Sequence, residues 1–321
     1  GYERGTSVSR GWYEAVTQAA LEVATEVEER LDKLSGSWAE APNRLEKLDK
    51  LANTIAERAF RRPLSEEEKK RYVEVPLKGA PTPEQGVLRS LLFVLKSPNF
   101  LYPGVGMEVT TESYRRAARL ALALWDSVPD DGLMKAARAK RFRTREQVAA
   151  QAEKMLEDPR AQAKVRGFFH YWLEMDGERD LSKNKKRFPG FDEAVAEDLR
   201  HSLNLFVDEV VWSERSDYRE LLLADWVPVN GRLAKLYGAE AEGSGFEPVQ
   251  FDARKRSGVL THPYLLSAFA YSTESSPIHR GVFLTKHIVG RPLKAPPEAV
   301  AFEDQDFDPG MTMREKVTEL T

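Results

Sequence analysis

Apolar residues recur at spacings of three and four along almost the whole of this 321-residue chain, and that periodicity limits its fold more than any other feature. Trp12, Val16, Ala20, Val23, Val27, Leu31 and Leu34 mark one amphipathic helix, and Leu45, Leu48, Leu51, Ile55 and Ala59 mark the next. Residues 35–42 hold the Gly, Ser and Pro that a reversal between them needs.

Helix starts are written into the chain in a form with a physical cause. A Ser, Thr or Asp side chain accepts the free amide protons of a first turn, and a Glu or Gln three residues on reaches back. Ser65 with Glu68, Thr82 with Gln85, Thr144 with Gln147 and Thr312 with Glu315 fit that box. Asp158-Pro159 and Ser276-Pro277 place proline at the first helical position. Further helices are predicted near 112–126, 144–157, 159–174, 191–213, 230–237, 257–270 and 277–289. Residues 226–229 and 246–251 each read as a short strand, too short to start a sheet of its own. The expectation is an all-α, multi-helix, multi-lobed array with at most a few short strands. Gly- and Pro-rich loops divide it into an N-terminal helical region at 1–104, a central helical domain at 105–254 and a C-terminal helical segment at 255–321.

Composition excludes several classes of function. There is no cysteine, so this chain forms no disulfide, thiolate nucleophile, zinc–thiolate site or covalently attached haem. A net charge of −3 gives no global reason to expect nucleic acid as a partner. The longest apolar runs, near 90–95 and 120–125, fall far short of the roughly 20 residues that span a bilayer. The chain opens on Gly1-Tyr2 and closes on Glu319-Leu320-Thr321, which reads as a piece of a longer protein.

Candidate sites are few. His279 and His287 lie eight residues apart on one predicted helix, so they project about 80° apart and roughly 12 Å along the axis, and cannot chelate one metal together. His279 and Arg280 stand at a helix start and, with His287, are the anion- or haem-facing candidates. Asp304, Asp306 and Asp308, followed by Thr312 and Glu315, fill positions 1, 3, 5, 9 and 12 of a helix–loop–helix calcium loop. Pro309 stands where the loop's turn demands glycine, so an acidic linker whose Thr312 caps the last helix competes with calcium. Glu197, His201, Asn204 and Asp208 share one helix stripe opposite Leu199, Leu203, Phe206 and Val210, and read as a solvated polar face. Arg179, Lys183, Lys185, Lys186 and Arg187 form a basic cluster that reads as an exposed loop. Tyr271 to Ser276 places hydroxyls near histidines but lacks the Gly-x-Ser-x-Gly elbow of a hydrolase. Trp125, Trp172, Trp212 and Trp226 are core anchors.

Six strings in order carry a family resemblance: RAFRRPLSEEE at 58–68, SPNFLY at 97–102, LWDSVPDD at 124–131, MLEDPRA at 155–161, NGRLAKLYG at 230–238 and SPIHRG at 276–281, the last with Gly290, Pro292 and Pro296-Pro297 after it. Together they resemble planctomycete-type secreted multi-domain proteins that combine domains of unknown function (1595, 1592 and 1588 in tandem) with c-type cytochrome domains. The resemblance implies export to the periplasm or exterior, a Cys-x-x-Cys-His haem segment after the Thr312 helix, and an adjoining cytochrome c domain as partner. It implies no catalytic residue. This chain has Ser202-Leu203 where relatives often carry Glu-Thr, and Leu293-Lys294-Ala295 where relatives are nearly all proline. The expected function is therefore the helical scaffold of an exported, cytochrome-associated protein in an electron-transfer context. A carbohydrate- or polymer-processing module and a structural interaction module are the alternatives.

Overall fold

The computed structural model describes residues 8–175, 181–293 and 311–320, which form two compact units, Gly1–Lys164 and Val165–Thr321. Helices dominate both, as the periodicity requires.

In the first unit, helices Arg10–Glu29 and Arg44–Phe60 are joined through the short helix Leu31–Ser35, which Gly36 ends in the left-handed conformation. The buried stripes differ from the predicted ones. Ala20, Ala24 and Leu31 are buried while Trp12, Val23 and Leu34 stand exposed, and in the next helix Leu48, Ala52, Ala56 and Ala59 are buried while Leu45 is exposed. Small alanines win the buried face because they let the helix Pro83–Leu95 approach closely, around Phe60, Val73 and Val94. Ser65 and Thr144 make complete capping boxes, with Glu68 and Gln147 as the reciprocal partners.

The RAFRRPL and SPNFLY strings meet in space. Arg61 donates to the carbonyls of Asn99 and Phe100 at 3.1 and 3.0 Å, so it closes the exposed end of the Pro98–Leu101 turn. Arg62, only 4% exposed, grips both oxygens of Glu68 at 2.7 Å and the Gly106 carbonyl at 2.7 Å. Asn99 donates to the same carboxylate at 3.0 Å, and the Ser65 amide at 2.9 Å. These donors, Arg62 first, hold the Glu68 carboxyl at about 2, well below the usual carboxylate range. Gly106 has φ +72°, and a Cβ there would lie 2.7 Å from the Arg62 guanidinium and 2.9 Å from Asn99, so only glycine fits.

The LWDSVPDD and MLEDPRA strings interlock in the same way. The Trp125 indole donates to the Met155 carbonyl at 2.9 Å, and Arg160 lies 3.4 Å above the Trp125 ring. Arg160 also bridges Asp158 and Asp130, and Asp130 caps the helix Asp131–Arg138 through the Leu133 amide.

The second unit is organised by the helix Glu193–Trp212, capped by Asp192. Val195, Leu199, Leu203, Phe206 and Val210 are buried along it, as the predicted apolar stripe required. The two short strands do form a sheet, by pairing with each other. Strand β1, Trp226–Val229, runs antiparallel to β2, Glu247–Gln250, with Pro228 opposite Pro248. Between them Asn230 caps the helix Gly231–Tyr237 by accepting from the Arg232 and Leu233 amides. Of the four tryptophans expected in the core, Trp125 is buried, whereas Trp172, Trp212 and Trp226 are half-buried. The predicted helix 277–289 is α-helical over Pro277–Phe283 and becomes a π-turn over Leu284–Ile288.

Replacing Arg62 with methionine strands a buried carboxylate and is expected to cost about 3–5 kcal/mol. The Arg62→Met, Glu68→Met pair removes both charges and is expected to be the more stable of the two variants. Urea midpoints of the single and double variants check this; a double variant weaker than the single would contradict it.

Candidate functional site

The least ordinary surface of the second unit is built around one loop, 252–261. Asp252 starts it by accepting from the Arg254 amide at 3.0 Å, and Ser257 fastens it to the Leu222 carbonyl at 2.9 Å. Gly258, at φ +55°, passes so close that an added Cβ would lie 2.4 Å from the Leu221 oxygen. A larger residue cannot occupy that position, and the loop's path is fixed. Arg256 is thereby set over the rings of Tyr237 and Phe251, at 4.6 and 5.6 Å. Burial raises the Tyr237 hydroxyl well above its ordinary value, with Arg256 opposing, and the buried Tyr237 oxygen has no hydrogen-bond partner.

Two clefts share Arg256 and Leu266. One, of about 340 Å³, also contains Tyr237, Tyr271, Lys183 and Glu274. The other, of about 500 Å³, contains Lys255 and Arg280 above apolar residues that include Leu260 and Phe283. Arg280 therefore lines a cleft. The structure does not bring it together with the two histidines. His279 is exposed and packs on Tyr271 at 5.2 Å, while His287 stacks on Phe283 and contacts Glu174 at 2.6 Å. The Trp172 indole donates to the His287 carbonyl at 2.8 Å, so that end of the segment is occupied with packing.

A serine and a histidine do meet, at positions that sequence reasoning missed. Ser202 and His262 are buried, and their Oγ and Nε2 atoms lie 3.2 Å apart. The Tyr264 amide donates to His262 Nδ1 at 3.2 Å, which places the ring proton on Nε2. His262 thus donates to Ser202, and Ser202 donates onward to the Pro228 carbonyl. The serine proton points away from the imidazole, and neither group reaches solvent; this is a relay tying three elements together, not a nucleophile and base. Burial holds His262 neutral down to about 3, with the nearby Arg256 charge adding to the effect.

The other candidates disperse. Asn204 and Asp208 of the polar stripe pair with His170 and Arg166 of the helix Pro159–Trp172, His201 packs edge-on against Phe246, and Glu197 is exposed. That face is a helix contact more than a solvated surface. Among the described residues no three His, Asp or Glu side chains are gathered where a metal could be held. Asp304, Asp306 and Asp308 lie outside the described residues, and Glu315 accepts from the Thr312 amide and hydroxyl at 2.6 and 2.7 Å. Arg179 also lies outside the described residues. Lys183 donates to the Ser267 carbonyl at 3.0 Å and Arg187 to the Thr273 carbonyl at 3.0 Å, so part of the basic cluster pins the loop before the last helices. Arg256 had no signal in the sequence beyond its place in a charged stretch, because its role comes from the ring faces that the fold puts beneath it.

Comparison with known families follows the same order along the chain. Residues 47–103 match PSD5, a protein of unknown function (DUF1595); residues 111–239 match PSD4, a protein of unknown function (DUF1592); and residues 256–321 match PSCyt3, a protein of unknown function (DUF1588). No curated protein and no solved structure matches the chain.

The His262 relay sets a pH dependence. Unfolded, the imidazole takes its proton near 6.5; folded, it does so only near 3. Its depressed value means that stability is complete above pH 6.5 and falls as the pH drops through that window, by about 1.4 kcal/mol per pH unit. Between pH 7 and 5 the protein is expected to lose about 2 kcal/mol more stability than its His262→Gln variant, read from urea midpoints at both pH values.

Proposed function

We propose, on the premise that this chain belongs to the planctomycete-type multi-domain family with the DUF1595, DUF1592 and DUF1588 domains in tandem, that it is the helical scaffold of an exported cytochrome-associated protein. A c-type haem would be carried by an adjoining segment, since the chain has no cysteine for thioether attachment. The observation that carries this reading is the match of 256–321 to a family whose name is PSCyt3, following matches to PSD5 and PSD4 in the same order along the chain. Support also comes from the work that the family strings do. Arg61, Arg62, Trp125, Asp130, Arg160, Asn230 and Ser276 are all occupied by caps, buried ion pairs or backbone carbonyls. A chain whose signature residues are used for support is suited to hold something else in place. No helix among the described residues is long and apolar enough to cross a membrane.

One observation favours a second reading, a polymer-binding module. A groove of about 740 Å³ has Trp226 and Phe246 in its lining, with Glu209, Glu214 and Glu220 beside them. Aromatic faces with carboxylates suit a saccharide. Glu209 and Glu214 are exposed, however, and Glu220 faces Arg215 at 3.7 Å, so none sits in the apolar pocket that a general acid requires.

Hydrogen exchange tests the scaffold reading. Backbone amides of residues 256–293 are expected to exchange more slowly in the product of the uninterrupted gene than in the 321-residue chain, because an adjoining segment packs there. Equal exchange in the two proteins would overturn it.

A further inference from the structure

The 500 Å³ cleft has a composition that sets it apart from its surroundings. Lys255, Arg256 and Arg280 line it, and no carboxylate does. Elsewhere in the same unit Arg166, Arg219, Arg232 and Arg254 each face an aspartate, at 208, 217, 198 and 252 respectively. Among the described residues Lys255 and Arg280 have no ion-pair partner, and Arg256 is engaged by two rings and by the Thr261 carbonyl at 3.5 Å. Three like charges around one concavity raise each other's energy, and a bound anion would relieve that cost. The charge is felt inside the unit, where Arg256 helps to keep the His262 imidazole neutral.

The rest of the lining decides what kind of anion fits. Leu260, Leu266 and Leu284 line the cleft, and the buried rings of Phe269 and Phe283 close its floor. A small inorganic anion would leave that apolar surface in water, whereas a ligand with an apolar body would cover it at roughly 25 cal/mol for each Å². We propose that this cleft binds a carboxylate-bearing ligand with an apolar body, the carboxylate held by Lys255 and Arg280 and the body lying against Leu260, Leu266 and Leu284. The site goes beyond the scaffold reading and stands without it. The carboxylate can belong to a free small molecule or to a group carried by an adjoining segment, since the chemistry of recognition is the same.

The test uses 1-pyrenebutyrate and its neutral counterpart 1-pyrenebutanol, titrated by fluorescence against the 321-residue chain. The acid is expected to bind more tightly than the alcohol. The variant Lys255→Gln, Arg280→Gln is expected to weaken the acid about tenfold and to leave the alcohol unchanged. Gly281→Leu supplies a second variant, because Gly281 lines the cleft, a Cβ there meets nothing within 4 Å and leucine favours the helix, so a branched side chain is placed in the wall of the cleft without disturbing the fold. It is expected to abolish binding of both probes. Binding to the chain but not to the product of the uninterrupted gene supports the proposal with the carboxylate supplied by an adjoining segment; binding to both supports it with a free ligand. Equal affinity for acid and alcohol, no binding of the acid to the chain, or acid binding that survives both variants would overturn it.

Discussion

A guanidinium taken out of water must find partners for its N–H donors and its charge, and Arg62 finds them in the carbonyl of Pro63 and in residues six and forty-four positions along the chain, Glu68 and Gly106. Glu68 answers the charge, Gly106 takes the Nε–H, and Asn99 joins the same carboxylate. Four hydrogen bonds from one guanidinium, with Asn99 on the same carboxylate, tie together the capped helix at Ser65, the turn at Ser97 and the loop at Gly106. The neighbouring Arg61 closes the carbonyls of that turn, so two adjacent arginines fix the end of the Arg44–Phe60 helix and the segment that follows Pro83–Leu95. The apolar contacts of the alanine face supply the drive to collapse, and the arginine pair supplies the geometry.

The second unit solves the same problem with neutral groups. A histidine, a serine and a proline carbonyl pass hydrogen bonds in one direction through the core, which ties the long helix to strand β1 and to the turn at His262. Ser202 is fully buried in that relay, and Leu203 fills the core beside it. The turn at His262 lies four residues after Gly258, and the same loop carries Lys255 and Arg256 to the cleft. Stability and the candidate site thus depend on one short segment, and its glycine cannot be exchanged without moving both.

Much of this architecture was legible in the sequence. The capping boxes at Ser65, Thr144 and Thr312 formed as written, because a cap is a local interaction among four residues. The stripe Leu199, Leu203, Phe206 and Val210 was equally plain. In the first two helices the predicted stripe is met at Ala20, Leu31, Leu48 and Ala59, but its centre is rotated toward Ala24, Ala52 and Ala56, whose value lies in close helix approach, and away from Trp12, Val23, Leu34 and Leu45. The strands were read singly, and pairing across a helix is not a local property. His279 and Arg280 were visible as neighbours of a proline, but the partners of Arg280 in the cleft come from a loop more than twenty residues earlier. The Ser202–His262 contact spans sixty residues, and no spacing rule would have found it.

The distinctive residues of this chain are committed to caps, buried pairs and a cationic cleft, and the proposal drawn from them is a support whose haem is carried by an adjoining segment. The most direct measurement is the intact mass and visible absorption spectrum of the protein made from the uninterrupted gene. The account predicts a mass well above that of the 321-residue chain and a haem band that shifts on reduction. A mass equal to that of this chain, with no visible absorbance, would contradict it.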